Sequence, residues 1–267
     1  DDVGLSSDTH ATHVAGTMGG DGSLSGGTYQ GMAPEIHIFS YNFTDSLSSY
    51  NGAIMTHGIE LSNNSWGYNI AGSISNCDLY GDYAFDVPSY DQIVTGLYGK
   101  RISIIFSAGN ERNDADCPGM GTAPGYPYYA TIPPPATAKN VITVGAVYSN
   151  NNSMTDYSGW GPVDDGRIKP EVVAPGDQTT QDGGITSTVF QDAYGVKVGA
   201  SMAAAVVSGS AALIIEDYRS LFGGADPLPS TVKDLLVHGA EDLGNMGPDF
   251  SYGYGKVDVQ NSIDLLR

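Results

Sequence analysis

The sequence predicts an α/β protein built on a mostly parallel sheet with helices on both faces. Short apolar runs alternate with segments of helical spacing along the chain, which is the pattern of strands joined by crossover helices. The longest small-residue and apolar run, at residues 201–217, has to be a buried helix. At 267 residues, 40% hydrophobic and only 15% charged, the chain is long enough and apolar enough to bury a sizeable core. No internal repeat or linker interrupts it, so one domain over residues 1–267 is the simplest count.

Residues 10–18 (HATHVAGTM) carry small and apolar positions at helical spacing after an N-cap candidate, Asp8 or Thr9. Residues 36–41 (IHIFSY) read as a buried strand, 50–57 as a helix and 59–65 as a second strand. Residues 68–92 are polar, aromatic and Gly-rich without clear periodicity, and are expected to form an inserted surface loop. The run 102–107 (ISIIFS) is an apolar strand that ends in the turn Ala108-Gly109-Asn110. Further strands are expected at 141–147 (VITVGAV) and at 171–174, and a last helix at 231–238. In parallel sheets of this kind, ligands bind outside the carboxyl ends of the strands.

A formal charge of −19, from 30 acidic against 11 basic side chains, argues against nucleic acid or an anionic membrane surface as partner. It suits a protein that stays soluble in salt or holds a few Ca²⁺ ions. No apolar run approaches the ~20 residues of a bilayer crossing, so no membrane partner is expected. Cys77 and Cys117 both lie in stretches that read as surface loops, which favours a disulfide over two buried thiols, and with it an oxidising compartment. The chain opens at DDVGLSSD, without an initiator Met or a basic-then-apolar leader, and reads as a processed product or a fragment.

Three islands could carry chemistry: THATHVAGT around His10, FSAGNE around Asn110 and VGASMAAAVVSGSAAL around Ser201. Singly, each has a plain structural reading as a cap, a turn or a helix start. Their combination matches acyl transfer, which needs a nucleophile, an imidazole to take its proton and donors for the developing oxyanion. Ser201 at a helix N-terminus supplies its own N–H and a positive dipole end, and the Asn110 amide supplies a second donor.

These islands resemble the subtilisin-like serine proteases, the subtilases. HATHVAGT is similar to the family's His motif HGTHVAGT, with Ala11 in place of Gly. SAGN is similar to the segment carrying the oxyanion-hole Asn, and GASMAAA to the nucleophile motif GTSMAxP, with Ala200 for Thr and Ala205 for Pro. SNNSWG at 62–67 resembles the strand edge that pairs with substrate; 156–176 and 247–263 resemble a branch of large secreted bacterial subtilases. The resemblance implies a subtilisin-like three-layer fold and a secreted serine endopeptidase, with Ser201 as nucleophile, His10 as general base and Asn110 in the oxyanion hole. Ser65, Trp66 and Gly67, with Ser107, Ala108 and Gly109, would form two cleft walls that hold a protein or peptide substrate by strand addition. His13 would be structural, and Met202, next to the nucleophile, an oxidation target. The chemistry requires no cofactor. Structural calcium is a family-level expectation, with the Asp164-Asp165 loop a candidate but no ligand set to assign.

One element of the family pattern is missing. The catalytic Asp of subtilases lies on a strand a few tens of residues before the His, whereas nine residues precede His10. Asp1, Asp2 and Asp8 are too close to it in sequence, and none is assigned the role. Three accounts stay open. The upstream segment with its Asp is cut away, or held as a separate, noncovalently bound piece; the chain is a fragment; or it is an inactive pseudoprotease that binds peptides without cutting them. Ala11, Ala200 and Ala205 each remove something small, and none removes a catalytic group. On the first account, residues 1–267 form a catalytic domain that lacks its N-terminal, Asp-bearing segment.

Overall fold

Four of the apolar runs become a parallel sheet: β1 (Leu61–Asn64), β2 (Ser103–Ser107), β3 (Ile142–Tyr148) and β4 (Val172–Asp177), side by side in chain order. The computed structural model describes residues 8–42, 46–68, 70, 74–113, 117, 129–180 and 183–267. Successive side chains of a strand point to opposite faces, so β2 feeds two cores. Ile104 and Phe106 meet Tyr90 and Ile93 of α3 (Val87–Val94) on one face, and Ile105 joins the cluster that holds α4 (Ala200–Leu221) on the other. Helices α5 (Pro229–His238) and α6 (Val259–Asp264) pack beside α4, and α1 (Thr9–Gly19) packs against its start through Val14, Met18, Met202 and Ala205. The order is helices, sheet, helices.

The differences from expectation have identifiable causes. Residues 36–41 form no strand, and Ile38 and Phe39 are each 41% exposed. An extended segment needs a neighbour to bond its N–H and C=O groups, and residues 36–41 and β1 instead line a common cavity of about 1000 Å³. Ile36, Ile38, Leu61, Asn63 and Ile215 line that cavity, so the outer edge of β1 opens into it. The helix expected over 50–57 starts earlier, as α2 (Ser46–Gly52), and ends in a wider turn at Ala53–His57. The expected loop over 68–92 contains α3, because Val87, Tyr90, Ile93 and Val94 place one apolar face on the sheet within otherwise polar sequence. Residues 69 and 71–73 of that loop lie outside the described residues. By length and composition the 22-residue α4 could cross a membrane, contrary to the expectation from the sequence; its burial against the sheet and α1 accounts for its apolar character instead.

A hairpin absent from the sequence reading, β5 (Ile185–Val189) and β6 (Ala193–Lys197), runs antiparallel just before α4. The expected disulfide is formed: Cys77 and Cys117 are bonded with Cα atoms 5.6 Å apart, and Ile70 and Tyr80 pack around them.

A lysine and its counter-ion lie inside the core. Lys169 is 0% exposed and its ammonium pairs with Glu171 at 2.8 Å, while Lys233 of α5 reaches the same carboxylate at 2.6 Å. Glu171 also accepts the Thr143 N–H at 2.7 Å, and Lys169 donates to Thr143 Oγ1 at 2.9 Å and the Val141 carbonyl at 3.2 Å. Burial lowers the Lys169 pKa to about 7 against the opposing pull of Glu171. Burial works against the Glu171 charge too, but the two lysines outweigh it and hold the carboxyl below its ordinary value.

Candidate active site

Ser201 is placed by the turn from β6 into α4. Gly199 has φ of +143°, a conformation that side-chain-bearing residues avoid, and this lets the chain reverse so that Ser201 falls in the first turn of α4. The unpaired N–H groups of that turn and the helix dipole make the spot favourable for negative charge. Ser201 Oγ donates to the Ser65 carbonyl at 3.1 Å, and Ser65 Oγ donates to the Ser201 carbonyl at 2.8 Å. The two reciprocal bonds fasten the end of β1 to the start of α4.

Asn110 arrives from the carboxyl end of β2. Ser107, Ala108 and Gly109 before it are buried, and their polar groups are partly committed: the Ala108 N–H donates to the Val144 carbonyl at 2.9 Å, and the Gly159 N–H to the Gly109 carbonyl at 3.2 Å. Asn110 itself is exposed, and its side-chain oxygen accepts the Ala200 N–H at 2.8 Å. A backbone N–H can only donate, so this contact sets which way the amide is turned, leaving its NH₂ for another acceptor. Ala200 has no hydroxyl, and its backbone does the orienting. The Glu111 carboxylate accepts the Asn110 N–H at 2.6 Å and steadies the same turn.

His10 lies in the first turn of α1. Of the two cap candidates, Asp8 and Thr9, the cap is Asp8, whose Oδ1 accepts the His10 N–H at 2.7 Å and the Ala11 N–H at 3.4 Å. That carboxylate is engaged with the helix start, and among the described residues no hydrogen bond joins the His10 ring to a carboxylate or to Ser201 Oγ. Asp1 and Asp2 lie outside the described residues. Burial lowers the His10 pKa below its ordinary value, Asp8 pulls it up and Lys197 pushes it down. The balance favours the neutral ring, the form that can accept a proton. His10 and Asp8 also form part of the wall of the cavity beside β1.

The hairpin that sequence reasoning missed holds α1 in place. His13 is buried, and its Nε2 lies 2.8 Å from the Ile185 carbonyl, an acceptor, so Nε2 carries the proton. Thr188 Oγ1 donates to the Thr12 carbonyl at 3.0 Å. Gly16 faces the same strand so closely that a Cβ there would come 2.0 Å from Thr188 Oγ1. The signal available in sequence was the β-branched run ITSTV followed by the alternating AYGVK, with Gln191 and Asp192 between them in left-handed conformations. Of the remaining predicted positions, Ser65 is half-buried, Gly67 is exposed, and Trp66 turns its ring edge-on to Phe106 at 5.5 Å while Nε1 donates to Asn64 Oδ1 at 3.2 Å. Trp66 thus anchors its segment to the core.

Comparison with known proteins gives this geometry a frame. The model of the subtilase family, Peptidase_S8, matches residues 1–255. Serine protease AprX of Bacillus subtilis is 28% identical over 279 residues, covering 95% of this chain but 57% of its own length, so the chain spans little more than half of that relative. Subtilisin DY of Bacillus licheniformis is 30% identical over 251 residues, covering 94% of this chain and 76% of its own. Among solved structures, the prenylagaramide maturation protease PagA matches with a TM-score of 0.69 at 22% identity, over 98% of this chain and 85% of that one. A lanthipeptide protease matches with a TM-score of 0.68 at 21% identity, over 100% and 78%. These two establish the shared fold, and the family model covers nearly the whole chain: the protein belongs to the subtilase family of serine proteases.

Proposed function

We propose that this protein is a secreted serine endopeptidase that cleaves peptide bonds through an acyl-enzyme on Ser201. The observation that carries the reading is the Ala200–Asn110 hydrogen bond, which commits the Asn110 side-chain oxygen to the start of the helix that presents Ser201 and leaves its NH₂ to donate to another acceptor. Ser201 Oγ leaves the Ser65 carbonyl, passes its proton to the neutral His10 imidazole and attacks the scissile carbonyl. The Ser201 N–H and the Asn110 NH₂ receive the oxyanion, and His10 returns the proton to the leaving amine. Water then releases the acyl group by the same route. Substrate lies extended along residues 65–67, with residues 107–109 shaping the other wall. No step needs a cofactor. Structural calcium, expected from the family, has no assigned ligands and enters none of these steps.

The carboxylate that would orient His10 belongs, in this proposal, to a noncovalently held N-terminal segment docked on the open edge of β1. The cavity has one wall at the outer edge of β1, which pairs with β2 alone among the described residues, another at residues 36–41, and His10 in its lining. An added strand would bond the β1 backbone, cover Ile36, Ile38 and Leu61, and carry a carboxylate toward the imidazole. Intact-mass analysis of the protein as isolated from its source tests for such a peptide, and a fluorophosphonate probe tests Ser201. The expected result is labelling of Ser201 that is lost in His10→Ala; an unlabelled Ser201 with the peptide present would sink the proposal.

A second reading has its own support. The Ser201 hydroxyl is bonded to a carbonyl, and not to a base, as a pseudoprotease that only binds peptides would allow. Peptide hydrolysis that disappears in Ser201→Ala rules that reading out.

A further inference from the structure

Asn110 is exposed, so burial does not hold its amide where an oxyanion would form. The chain on either side of it is held instead, by one segment, residues 155–160. Before Asn110, the Gly109 carbonyl accepts the Gly159 N–H at 3.2 Å, and a Cβ on Gly159 would come 2.1 Å from the Ala108 carbonyl oxygen. After Asn110, Arg112 is bound into the same segment through both backbone and side chain. Its N–H donates to the Tyr157 carbonyl at 3.1 Å, its Nε to the Ser158 carbonyl at 3.0 Å and its Nη2 to the Thr155 carbonyl at 2.6 Å. The guanidinium also lies 4.1 Å from the centre of the Trp160 ring. The segment is itself fastened to β3. Thr155 donates to the Ala146 carbonyl from its N–H at 3.2 Å and from Oγ1 at 3.1 Å, and Ser158 Oγ accepts the Ala146 N–H at 2.9 Å.

We infer that Arg112 is a positioning residue that clamps the turn at Asn110 to residues 155–160 and so sets the Asn110 amide for the oxyanion. It touches no reacting atom and acts through Asn110; the inference rests on the peptide-cleaving reading above. A turn tethered only at Gly109 could swing about that point, and a group displaced by about 1 Å can lose about 10²-fold in rate. A guanidinium suits the task. Its rigid planar fork reaches two carbonyls while its face rests on an indole, an arrangement that the compact ammonium of lysine does not reproduce. The competing role for a cation two residues from the donor is direct attraction of the oxyanion by its field. That attraction would not pass through Asn110, which makes the two roles separable.

The test is a double-mutant cycle on fluorophosphonate labelling of Ser201. Arg112→Ala should slow labelling by about 10- to 100-fold in the parent, and by less than about 2-fold in Asn110→Ala protein, where the donor it positions is gone. Arg112→Lys, the variant to use should Arg112→Ala not fold, keeps the charge without the planar fork and should still label at least about 3-fold more slowly than the parent. A slowing that persists undiminished in the Asn110→Ala background, or the full parent rate in Arg112→Lys, overturns the inference. Amide hydrogen exchange at Ala200, followed by NMR, reads the Asn110 contact without any catalysis. It should speed up by about 10-fold in Arg112→Ala, and an unchanged Ala200 rate also overturns the inference. Labelling at the parent rate in Arg112→Ala sinks this inference alone. A parent Ser201 that does not label sinks the catalytic reading, and the Ala200 exchange then decides whether Arg112 holds Asn110.

Discussion

Glu171→Gln should destabilise the protein by about 3–4 kcal/mol at pH 6 and by about 2 kcal/mol at pH 9. Lys169, 0% exposed, would keep Thr143 Oγ1 at 2.9 Å and the Val141 carbonyl at 3.2 Å but lose its counter-ion at 2.8 Å. If it stays charged, an unpaired buried ion costs about 3–5 kcal/mol. If it releases its proton, the folded pKa of about 7 makes that cost about 1.4 kcal/mol at pH 6, and the lost bonds to a charged partner add about 1.5–3 kcal/mol. Both routes meet near the same figure. The sign of the pH dependence follows from the folded pKa lying below the unfolded value of 10.5. Between the two, the unfolded chain binds the extra proton, so the penalty of burying Lys169 is full below pH 7 and fades as pH rises. Above pH 7 the parent has already lost that proton, and the gap between parent and variant narrows. Urea unfolding followed by fluorescence of the two tryptophans at pH 6 and pH 9 measures both numbers. A loss below about 1 kcal/mol at pH 6, or a gap that widens with pH, would refute the reasoning. Lys169→Met combined with Glu171→Gln should recover most of the loss, because it removes the stranded charge.

Two further outcomes concern the site. Asn110→Ala should slow fluorophosphonate reaction by about 10²–10³, the loss known in kcat for an oxyanion-hole Asn, and lower urea stability by about 1–3 kcal/mol because the buried Ala200 N–H loses its acceptor; an unchanged rate removes Asn110 from the oxyanion hole. Lys197→Gln should move the midpoint of the acid limb of the labelling rate upward, by removing a cation whose field lowers the His10 pKa. A downward shift in that variant contradicts the assignment of His10 as the base.

Much of the chain follows from local rules that sequence alone displays. Asp8 caps α1 because a short side-chain acceptor before a helical run satisfies otherwise unpaired N–H groups. The apolar runs at β2 and β3 become buried strands because their residues can satisfy both faces of a covered sheet. Ser201 at the head of the small-residue helix and Asn110 at the end of a strand were readable for the same reason: each sits where one element ends and the next begins. Tertiary structure decided what depends on partners distant in sequence. Residues 36–41 have the composition of a strand but line a common cavity with β1, and a strand exists only with a neighbour to bond. The orientation of the Asn110 amide is set by a donor 90 residues away. The seating of α1, and with it His10, is set by a hairpin bonded to it across 172 residues.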